Sequence, residues 1–267
     1  MLTTMGTITM AEYALLSISH LQGTSDSARA EPDDLQSDQL PAAALRKLLA
    51  WLSPSFPVGG FSYSHGLEWA VEDGTVNDAN RLQAWLAEIL RYGAGWSDAV
   101  LFCHSHRAAT GGNPAGVAET NALAVALQPS KERRLETTAQ GRAFLSTVTA
   151  TWPNDRLANL AELFADGADV AYPVAVALAA ASHDIPPAPA VNAYLGAFVA
   201  NLVSAAVRAV PLGQTDGQRV IASLSPLIET LTNETASASL DHLGGSAWRA
   251  DIASMKHETQ YTRLFRS

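Results

Sequence analysis

Apolar side chains recur with a helical period along almost the whole chain after residue 40. Alternating polarity is never long enough for a strand, and no internal repeat is visible. The pattern predicts an all-α fold: a single globular domain of roughly ten helices over residues 43–267, with three long Ala-rich helices at its centre. The first run has the i, i+3, i+4, i+7 spacing of one buried face: Leu45, Leu48, Leu49 and Leu52. The predicted helices cover residues 45–52, 64–72, 78–90, 96–107, 114–127, 130–151, 172–182, 191–210 and 217–235.

Residues 1–42 have the composition of a tail rather than of a folded element. Residues 22–39 are rich in Ser, Asp, Glu and Pro and contain few apolar side chains. Such a segment cannot bury enough apolar surface to offset the entropy lost on ordering. We therefore expect a disordered acidic tail before the helical domain.

Composition narrows the function classes. Hydrophobic residues make up 48% of the chain and charged residues 16%, which fits a globular protein with a sizeable core. The formal net charge of −9 argues against nucleic acid as a partner, because nucleic acid requires a basic face. Cys103 is the single cysteine and cannot form an intramolecular disulfide, so we expect a reducing, cytoplasmic location.

Two apolar stretches raise the question of membrane targeting. No basic region precedes the short run Tyr13–Ile18, so no signal peptide is expected. Residues 188–210 are apolar enough to suggest a membrane span. Polar residues, among them Asn192, Asn201 and Arg208, interrupt that stretch, and it is predicted to be a buried helix of a protein without a membrane partner.

Residues 53–68 combine two prolines, adjacent glycines and three aromatic side chains. Pro54 and Pro57 force extended backbone, and Gly59-Gly60 permits positive φ, so the segment is predicted to be a shaped loop. Phe56, Phe61 and Tyr63 give it an aromatic content that is unusual for a solvent loop. A buried connection between helices and a partner-binding loop are both consistent with this pattern.

The same loop offers a weak hydrolase alternative. Gly60 to Ser64 nearly match the G-x-S-x-G nucleophile elbow, with Ser62 as nucleophile and His65 nearby. That elbow needs a strand-to-helix turn on an α/β sheet, and its base normally arrives from elsewhere in the chain. No G-x-x-x-x-G-K-[ST] motif occurs, so nucleotide binding through a P-loop is not expected.

Direct binding of a transition metal is a second alternative. Cys103, His104 and His106 have ligand types for a transition metal. On a helix, Cys103 and His106 share a face while His104 points away, and a closed site needs three or four ligands. A core cysteine with surface histidines is the simpler interpretation, and no cofactor is expected.

Residues 211–219 follow a long apolar helix and contain Pro211 and Gly213, which should end it. Gln214 and Gln218 lie four apart and would share one face of the next helix. A structural corner between two helices explains most of this segment. A polar face that lines a groove or a channel is the alternative.

The last thirteen residues, 255–267, form a segment that we call the C-terminal tail. It places Tyr261, Leu264 and Phe265 among Lys256, Arg263 and Arg266. Chain ends usually lose large aromatic residues unless something holds them. Docking on a partner and packing of a last helix on the chain's own core are both consistent with the pattern.

Four segments together resemble the urease accessory protein UreF family. They are SPSFPVGGFSYSHGLEWA at 53–70, GRAFL at 141–145, AAVRAVPLGQTDGQ at 205–218 and HETQYTRLFRS at 257–267. The resemblance covers about residues 45–267. It implies an all-helical homodimer that is not an enzyme. It also implies a role in nickel insertion into apo-urease, through binding of the accessory protein UreD (also called UreH) and recruitment or regulation of the GTPase UreG.

The resemblance also implies roles for particular residues. The tail is the part that orders on UreD/UreH, with Arg263 prominent and with Tyr261, Leu264 and Phe265 as apolar anchors. Phe61, where many relatives have Tyr, is implied in GTPase recruitment, and Tyr63 and Glu68 belong to the same motif. Gln214 and Gln218 match a pair near an internal nickel path. We expect the tail to be disordered in the free protein, or else to be held by a neighbouring molecule or the dimer mate.

Overall fold

A computed structural model describes residues 40–267 and contains only helices and connecting segments over that range. This confirms the all-α prediction. Most of the predicted tail, residues 1–39, lies outside the described residues. The α-helices of the described range are α1 Ala42–Trp51, α2 Leu67–Glu72, α3 Ala79–Tyr92, α4 Ala94–Thr110, α5 Pro114–Ala126, α6 Lys131–Thr151, α7 Asp155–Ala161, α8 Tyr172–Ser182, α9 Pro187–Ala209, α10 Gln214–Thr235 and α11 Trp248–His257. Short 3₁₀ helices cover Gly60–Ser62, Glu162–Gly167 and Leu240–His242.

Helix α8 lies at the centre of the fold. Every residue from Pro173 to Ser182 is buried, and most are Ala or Val. Helices α4 and α6 pack against it on two sides, and small side chains allow this close approach. At Gly141 of α6 an added Cβ would lie 2.1 Å from the oxygen of Val170, so only glycine permits this contact. The prediction of an Ala-rich centre is correct for α8.

Helix α9 is the one helix of residues 40–267 that is long and apolar enough to cross a membrane. Its contacts show a different role. Half of its most apolar stretch is buried inside the fold, where it packs against α10, α8 and α4. The prediction of a buried core helix for this stretch agrees with that packing.

Side-chain caps fix where several helices begin. A polar side chain accepts the N–H three residues later at the start of four helices, which satisfies a donor with no intrahelical partner. These caps are Asp78 before α3, Asn113 before α5, Ser130 before α6 and Asn154 before α7. Of these helices, α7 was absent from the predicted set.

Helix α1 buries a different face from the predicted one. Leu48 is buried as expected, together with Ala44 and Trp51, whereas Leu45 and Leu49 are exposed. The Trp51 ring sets this rotation, because it packs edge-on against Phe144 at 6.3 Å and Trp152 at 6.0 Å. A large aromatic side chain buries more area than a leucine, so it determines which side of a short helix faces the core.

Helix α2 begins three residues later than predicted, at Leu67 instead of Ser64. His65 and Gly66 have φ values of 57° and 74°, which a right-handed helix cannot contain. An added Cβ at Gly66 would lie 2.5 Å from the main-chain nitrogen of Ser254. The left-handed turn therefore brings the loop into direct contact with α11.

Candidate partner-binding site

The loop of residues 53–68 is both a core connection and a surface. Phe56 is buried, with its ring 5.3 Å from that of Phe144. Tyr63 is buried as well, whereas 67% of the Phe61 side chain is exposed. The buried connection is thus confirmed at Phe56 and Tyr63, and Phe61 is the aromatic side chain that the loop presents to solvent.

The carboxylate of Glu68, on α2, fixes the main chain of the C-terminal tail. Its Oε1 accepts the N–H of Leu264 at 2.6 Å, and its Oε2 accepts the N–H of Phe265 at 3.0 Å. The ring nitrogen Nε2 of His257 lies 3.0 Å from the same Oε2. A buried carboxylate that accepts main-chain N–H groups makes strong, charge-assisted hydrogen bonds. Glu68 is thus a buried support for the tail, not a surface residue.

A second carboxylate holds the other side of His257. Glu132, on α6, lies 2.6 Å from Nδ1 of His257 through Oε2, and its Oε1 accepts Nη1 of Arg263 at 2.7 Å. A carboxylate therefore faces each ring nitrogen of the buried His257. Gln260 adds a hydrogen bond to Glu72. Side chains from α2, α6 and the tail thus form one hydrogen-bonded network around the buried His257 ring.

The end of the tail runs beside the 53–68 loop. The N–H of Arg266 donates to the oxygen of Ser62 at 2.8 Å, and the N–H of Ser64 donates to the main-chain oxygen of Ser267 at 2.7 Å. The Ser64 hydroxyl donates to that same oxygen at 2.5 Å. The Ser267 hydroxyl donates to Glu136 at 2.6 Å. The loop and the tail are thus one hydrogen-bonded unit.

The tail side chains divide into an outer set and an inner set. Tyr261 is fully exposed and Leu264 is 72% exposed, whereas Phe265 is 5% exposed. The predicted anchor role therefore needs correction at Phe265, which packs inside its own chain beneath the guanidinium of Arg208 at 4.5 Å. The contacts that hold the tail come from its own chain, so an ordered tail does not require a neighbouring molecule.

Helix α11 carries an apolar stripe next to the tail. Trp248, Ile252 and Met255 are all exposed, at the i, i+4, i+7 spacing of one helix face. The opposite face packs on α2 and α6, where Ser254 is hydrogen bonded to Ser130. Since soluble proteins rarely expose large apolar side chains in a row, this stripe has the character of an interaction surface.

A buried polar cluster lies beneath the loop. Nδ1 of His65 lies 2.8 Å from Arg133 and 2.9 Å from Glu136, and Arg133 and Glu136 form an ion pair. Burial alone would raise the pKa of Glu136, but the Arg133 charge and hydrogen bonds to its oxygens bring it to about 2. Burial also lowers the pKa of His65, and the Arg133 charge adds to this effect. This cluster connects the loop to α6.

Asp98 belongs to the same interior region. Burial raises its pKa to about 6, although the Tyr194 hydroxyl donates to its carboxylate at 2.8 Å and opposes that rise. Two clefts, of about 130 Å³ and about 90 Å³, lie in this region, and both are lined by His65, Asp98 and Arg133. Gln214 and Gln218 line neither and are exposed at the start of α10. These two clefts therefore give no support to a place for the two amides near an internal nickel path, which stays a prediction.

The hydrolase alternative has no structural support. Residues 60–62 form a 3₁₀ helix, whereas a nucleophile elbow follows a strand. Nδ1 of His65 faces Arg133 and Glu136, and no hydrogen bond joins His65 to Ser62 in the described part of the chain. The ring is thus engaged in a buried ion-pair cluster and not in activating a hydroxyl.

The two histidines of the metal alternative already have hydrogen-bond partners within the chain. A ring nitrogen of His106 lies 2.8 Å from the oxygen of Ile185, and one of His104 lies 2.9 Å from the oxygen of Ala238. Burial raises the pKa of the Cys103 thiol, which disfavours the thiolate that metals bind. Within residues 40–267 no group of three or more potential ligands is close enough to hold an ion.

Sequence reasoning missed several residues of this site. The candidate residues from the sequence did not include Glu132, Arg133, Glu136 or His257. A signal was present, because Glu136, Gln140, Phe144 and Val148 recur every four residues and so share one face. The burial of Phe144 and Val148 continues that face into the core. A charged side chain in line with a buried aromatic one is expected to be buried and paired.

Together these features define a helical protein in which a loop and a tail are hydrogen bonded to each other and leave Phe61, Tyr261 and Leu264 exposed. A family model for UreF matches residues 76–225. Urease accessory protein UreF of Xanthobacter autotrophicus is 51% identical over 247 residues, 92% of this chain and all of that protein. The chain therefore belongs to the UreF family of urease accessory proteins, whose members are not enzymes.

Two further relatives have the same name and cover most of the chain. UreF of Rhodopseudomonas palustris (strain BisA53) is 51% identical over 226 residues, 85% of this chain and 94% of that protein. UreF of Bradyrhizobium sp. (strain ORS 278) is 50% identical over 225 residues, 84% of this chain and 92% of that protein. The similarity therefore extends over most of the helical domain and most of each relative.

Proposed function

We propose that this protein is a cytoplasmic, homodimeric scaffold for nickel insertion into apo-urease. It binds UreD/UreH through the tail and α11, and it recruits or regulates the GTPase UreG through the loop around Phe61. The fold supplies no chemistry for this role. Its contribution is the fixed placement of two neighbouring recognition surfaces.

The seated tail is the observation that carries this proposal. Its main chain is held by Glu68 and its cation Arg263 by Glu132, so Tyr261 and Leu264 project outward from a fixed base. A preorganised segment binds more tightly than a flexible one, because less entropy is lost on binding. Exposed aromatic and aliphatic side chains on such a base are typical of interface hot spots.

The α11 stripe extends this surface. Trp248, Ile252 and Met255 are exposed on the helix that leads directly into the tail. We infer that UreD/UreH covers the stripe and the outer tail side chains together. Charged groups at the edge, such as the part-exposed Arg263, then add bidentate contacts.

Co-purification with UreD/UreH tests the first surface. The double variant Tyr261→Ala/Leu264→Ser changes exposed side chains only, and we expect loss of the binary complex with an unchanged thermal midpoint. Arg263→Ala should also weaken the complex, with a small loss of stability because its contact with Glu132 is removed. Leu163→Ser, at an exposed leucine between α7 and α8, is the matched control. An undiminished yield of the Tyr261/Leu264 variant would refute the docking claim.

Recruitment of UreG tests the second surface. Phe61→Ala should leave the complex with UreD/UreH intact and reduce the ternary complex in size-exclusion chromatography. Phe61→Tyr keeps the ring and should preserve recruitment. Tyr63 and Glu68 are buried, so they act through the position of the loop and tail and not by contact. A full ternary peak with Phe61→Ala would contradict this assignment.

Homodimer formation is tested by sedimentation of the isolated protein. A mass of one chain at all concentrations would remove the dimer from the proposal and leave the two recognition surfaces unaffected.

A further inference from the structure

Arg208, in the last turn of α9, contacts three separate parts of the molecule. Its Nε donates to the oxygen of Ser204 at 3.1 Å, which holds the side chain against its own helix. Its Nη2 donates to the main-chain oxygen of Phe61 at 2.8 Å. Its guanidinium carbon lies 4.5 Å from the centre of the Phe265 ring. One side chain thus joins α9, the loop and the C-terminal tail.

The chemistry of arginine suits these simultaneous contacts. A guanidinium group donates hydrogen bonds in its plane while its face stacks on an aromatic ring. A lysine at this position keeps the charge over Phe265 but has no planar fork for the contacts to Ser204 and Phe61. The geometry therefore depends on arginine and not on positive charge alone.

The contact to Phe61 lies just beyond the main-chain pairing of loop and tail. Arg266 and Ser62 form the neighbouring hydrogen bond, and Ser64 pairs with Ser267 further along. Phe61 precedes this paired stretch, and 67% of its side chain is in solvent. Through its hydrogen bond to the Phe61 oxygen, Arg208 holds this exposed residue as well. At the same time its guanidinium group covers the buried ring of Phe265.

We propose that Arg208 is a positioning residue that fixes the main chain of Phe61 relative to the seated tail. Through it, presentation of Phe61 to the GTPase depends on Phe265 being in place. The effect on GTPase recruitment rests on the proposed function. The physical core, the joining of loop and tail by Arg208, concerns the isolated chain alone. The two parts can be tested separately.

Amide hydrogen exchange of the isolated protein tests the physical core. Arg208→Ala should speed exchange at Leu264, Phe265, Arg266 and Ser64 by about tenfold, the scale of one cation–π contact plus one hydrogen bond. Arg208→Lys should give an intermediate increase. Arg156→Ala removes an exposed arginine that is paired with Asp184 on a distant surface, and it should leave these amides unchanged. Unchanged exchange in Arg208→Ala would overturn the proposal.

A double-mutant cycle distinguishes this contact from a general loss of stability. Phe265→Leu keeps most of the side-chain volume but removes the aromatic face. If Arg208 acts through that ring, the effects of Arg208→Ala and Phe265→Leu on exchange at Arg266 will be clearly less than additive. Full additivity would contradict a contact through the ring.

Binding of the GTPase to the preformed complex with UreD/UreH tests the consequence. Arg208→Ala should reduce GTPase affinity about tenfold, and Arg208→Lys should restore part of it. If Phe61→Ala reduces recruitment but Arg208→Ala does not, the positioning role is wrong. If Phe61→Ala itself has no effect, the proposed function fails, and the exchange data still decide whether Arg208 joins loop and tail.

Discussion

The carboxylate of Glu68 accepts the main-chain N–H of Phe265 at 3.0 Å, although 197 positions separate the two residues in the chain. The same carboxylate accepts the N–H of Leu264 and faces His257. The N–H groups of Leu264 and Phe265 thus find their acceptors on α2 and not within the tail. The main chain at Leu264, whose side chain points outward, is therefore positioned by this buried group.

Glu68→Gln is expected to loosen the tail. The amide keeps one acceptor oxygen, but its NH₂ group meets an N–H donor of the tail. A buried N–H left without an acceptor costs about 1–3 kcal/mol. Limited trypsin digestion should therefore cut at Arg263 and Arg266 much faster than in the unchanged protein, and the thermal midpoint should fall.

Glu119→Gln is the control for that experiment, because Glu119 is an exposed carboxylate on α5. It should change neither digestion nor the thermal midpoint. Equal digestion rates for Glu68→Gln and the unchanged protein would show that other contacts hold the tail.

Leu264 and Phe265 are neighbours in sequence, but their substitution by alanine should change the stability of the protein by very different amounts. Phe265→Ala removes a buried ring together with its contact to Arg208, and we expect a loss of about 3 kcal/mol in unfolding free energy. Leu264→Ala truncates an exposed side chain and should change stability by less than about 0.5 kcal/mol. Urea denaturation measures both variants. Similar losses for both would contradict the inward and outward assignment of this pair.

Helical periodicity predicted the fold because core helices of this chain bury apolar side chains in regular rows. The stretch of α8 is so uniformly apolar that its limits, 172–182, were predicted correctly. Helix α1 shows where the argument fails, since four leucines suggested one face and a single tryptophan selected another. Periodicity counts apolar positions equally, whereas packing depends on the area and shape of each side chain.

The site was less predictable from sequence than the fold. The motifs led to Phe61, Glu68 and Arg263, but a motif does not distinguish a residue that contacts a partner from one that supports it. Glu68 and Phe265 turned out to be buried, and their contacts join positions almost 200 residues apart. No local pattern encodes such pairing, because it depends on how α2, α6 and α11 come together.

Asp98 makes the stability of the protein sensitive to pH. Burial raises its pKa from an ordinary value of 3.8 to about 6 in the folded chain, so the folded state holds the proton more tightly. The stabilising effect of protonation is fully present below about pH 4 and is lost as pH rises through 6. The difference of about two units corresponds to a cost of about 3 kcal/mol at neutral pH.

Asp98→Asn should therefore raise unfolding free energy at pH 7.5, by up to about 3 kcal/mol, because an uncharged amide can still accept the Tyr194 hydroxyl. The gain should shrink as pH falls from 6 to 4. Urea denaturation at several pH values measures this dependence, and Tyr194→Phe provides a control that leaves the carboxylate in place. A gain that is constant with pH would show that Asp98 does not titrate in this range.

Gly66 and Gly74 form a matched pair that isolates the contact between the loop and α11. Both have positive φ, 74° and 76°, so alanine is strained at either position by about 1 kcal/mol. At Gly74 an added Cβ meets nothing within 4 Å, whereas at Gly66 it would lie 2.5 Å from the nitrogen of Ser254. The difference in unfolding free energy between the two alanine variants therefore measures the close approach of Gly66 to Ser254 alone.

Gly66→Ala should cost at least about 2 kcal/mol more than Gly74→Ala, because α11 must move away from the loop. That movement shifts His257 away from Glu68, so the tail should also become sensitive to trypsin in this variant only. Thermal unfolding and digestion of the two variants side by side check both effects. Equal costs, with the tail protected in both, would mean that α11 does not need the close approach at Gly66 to hold the tail in place.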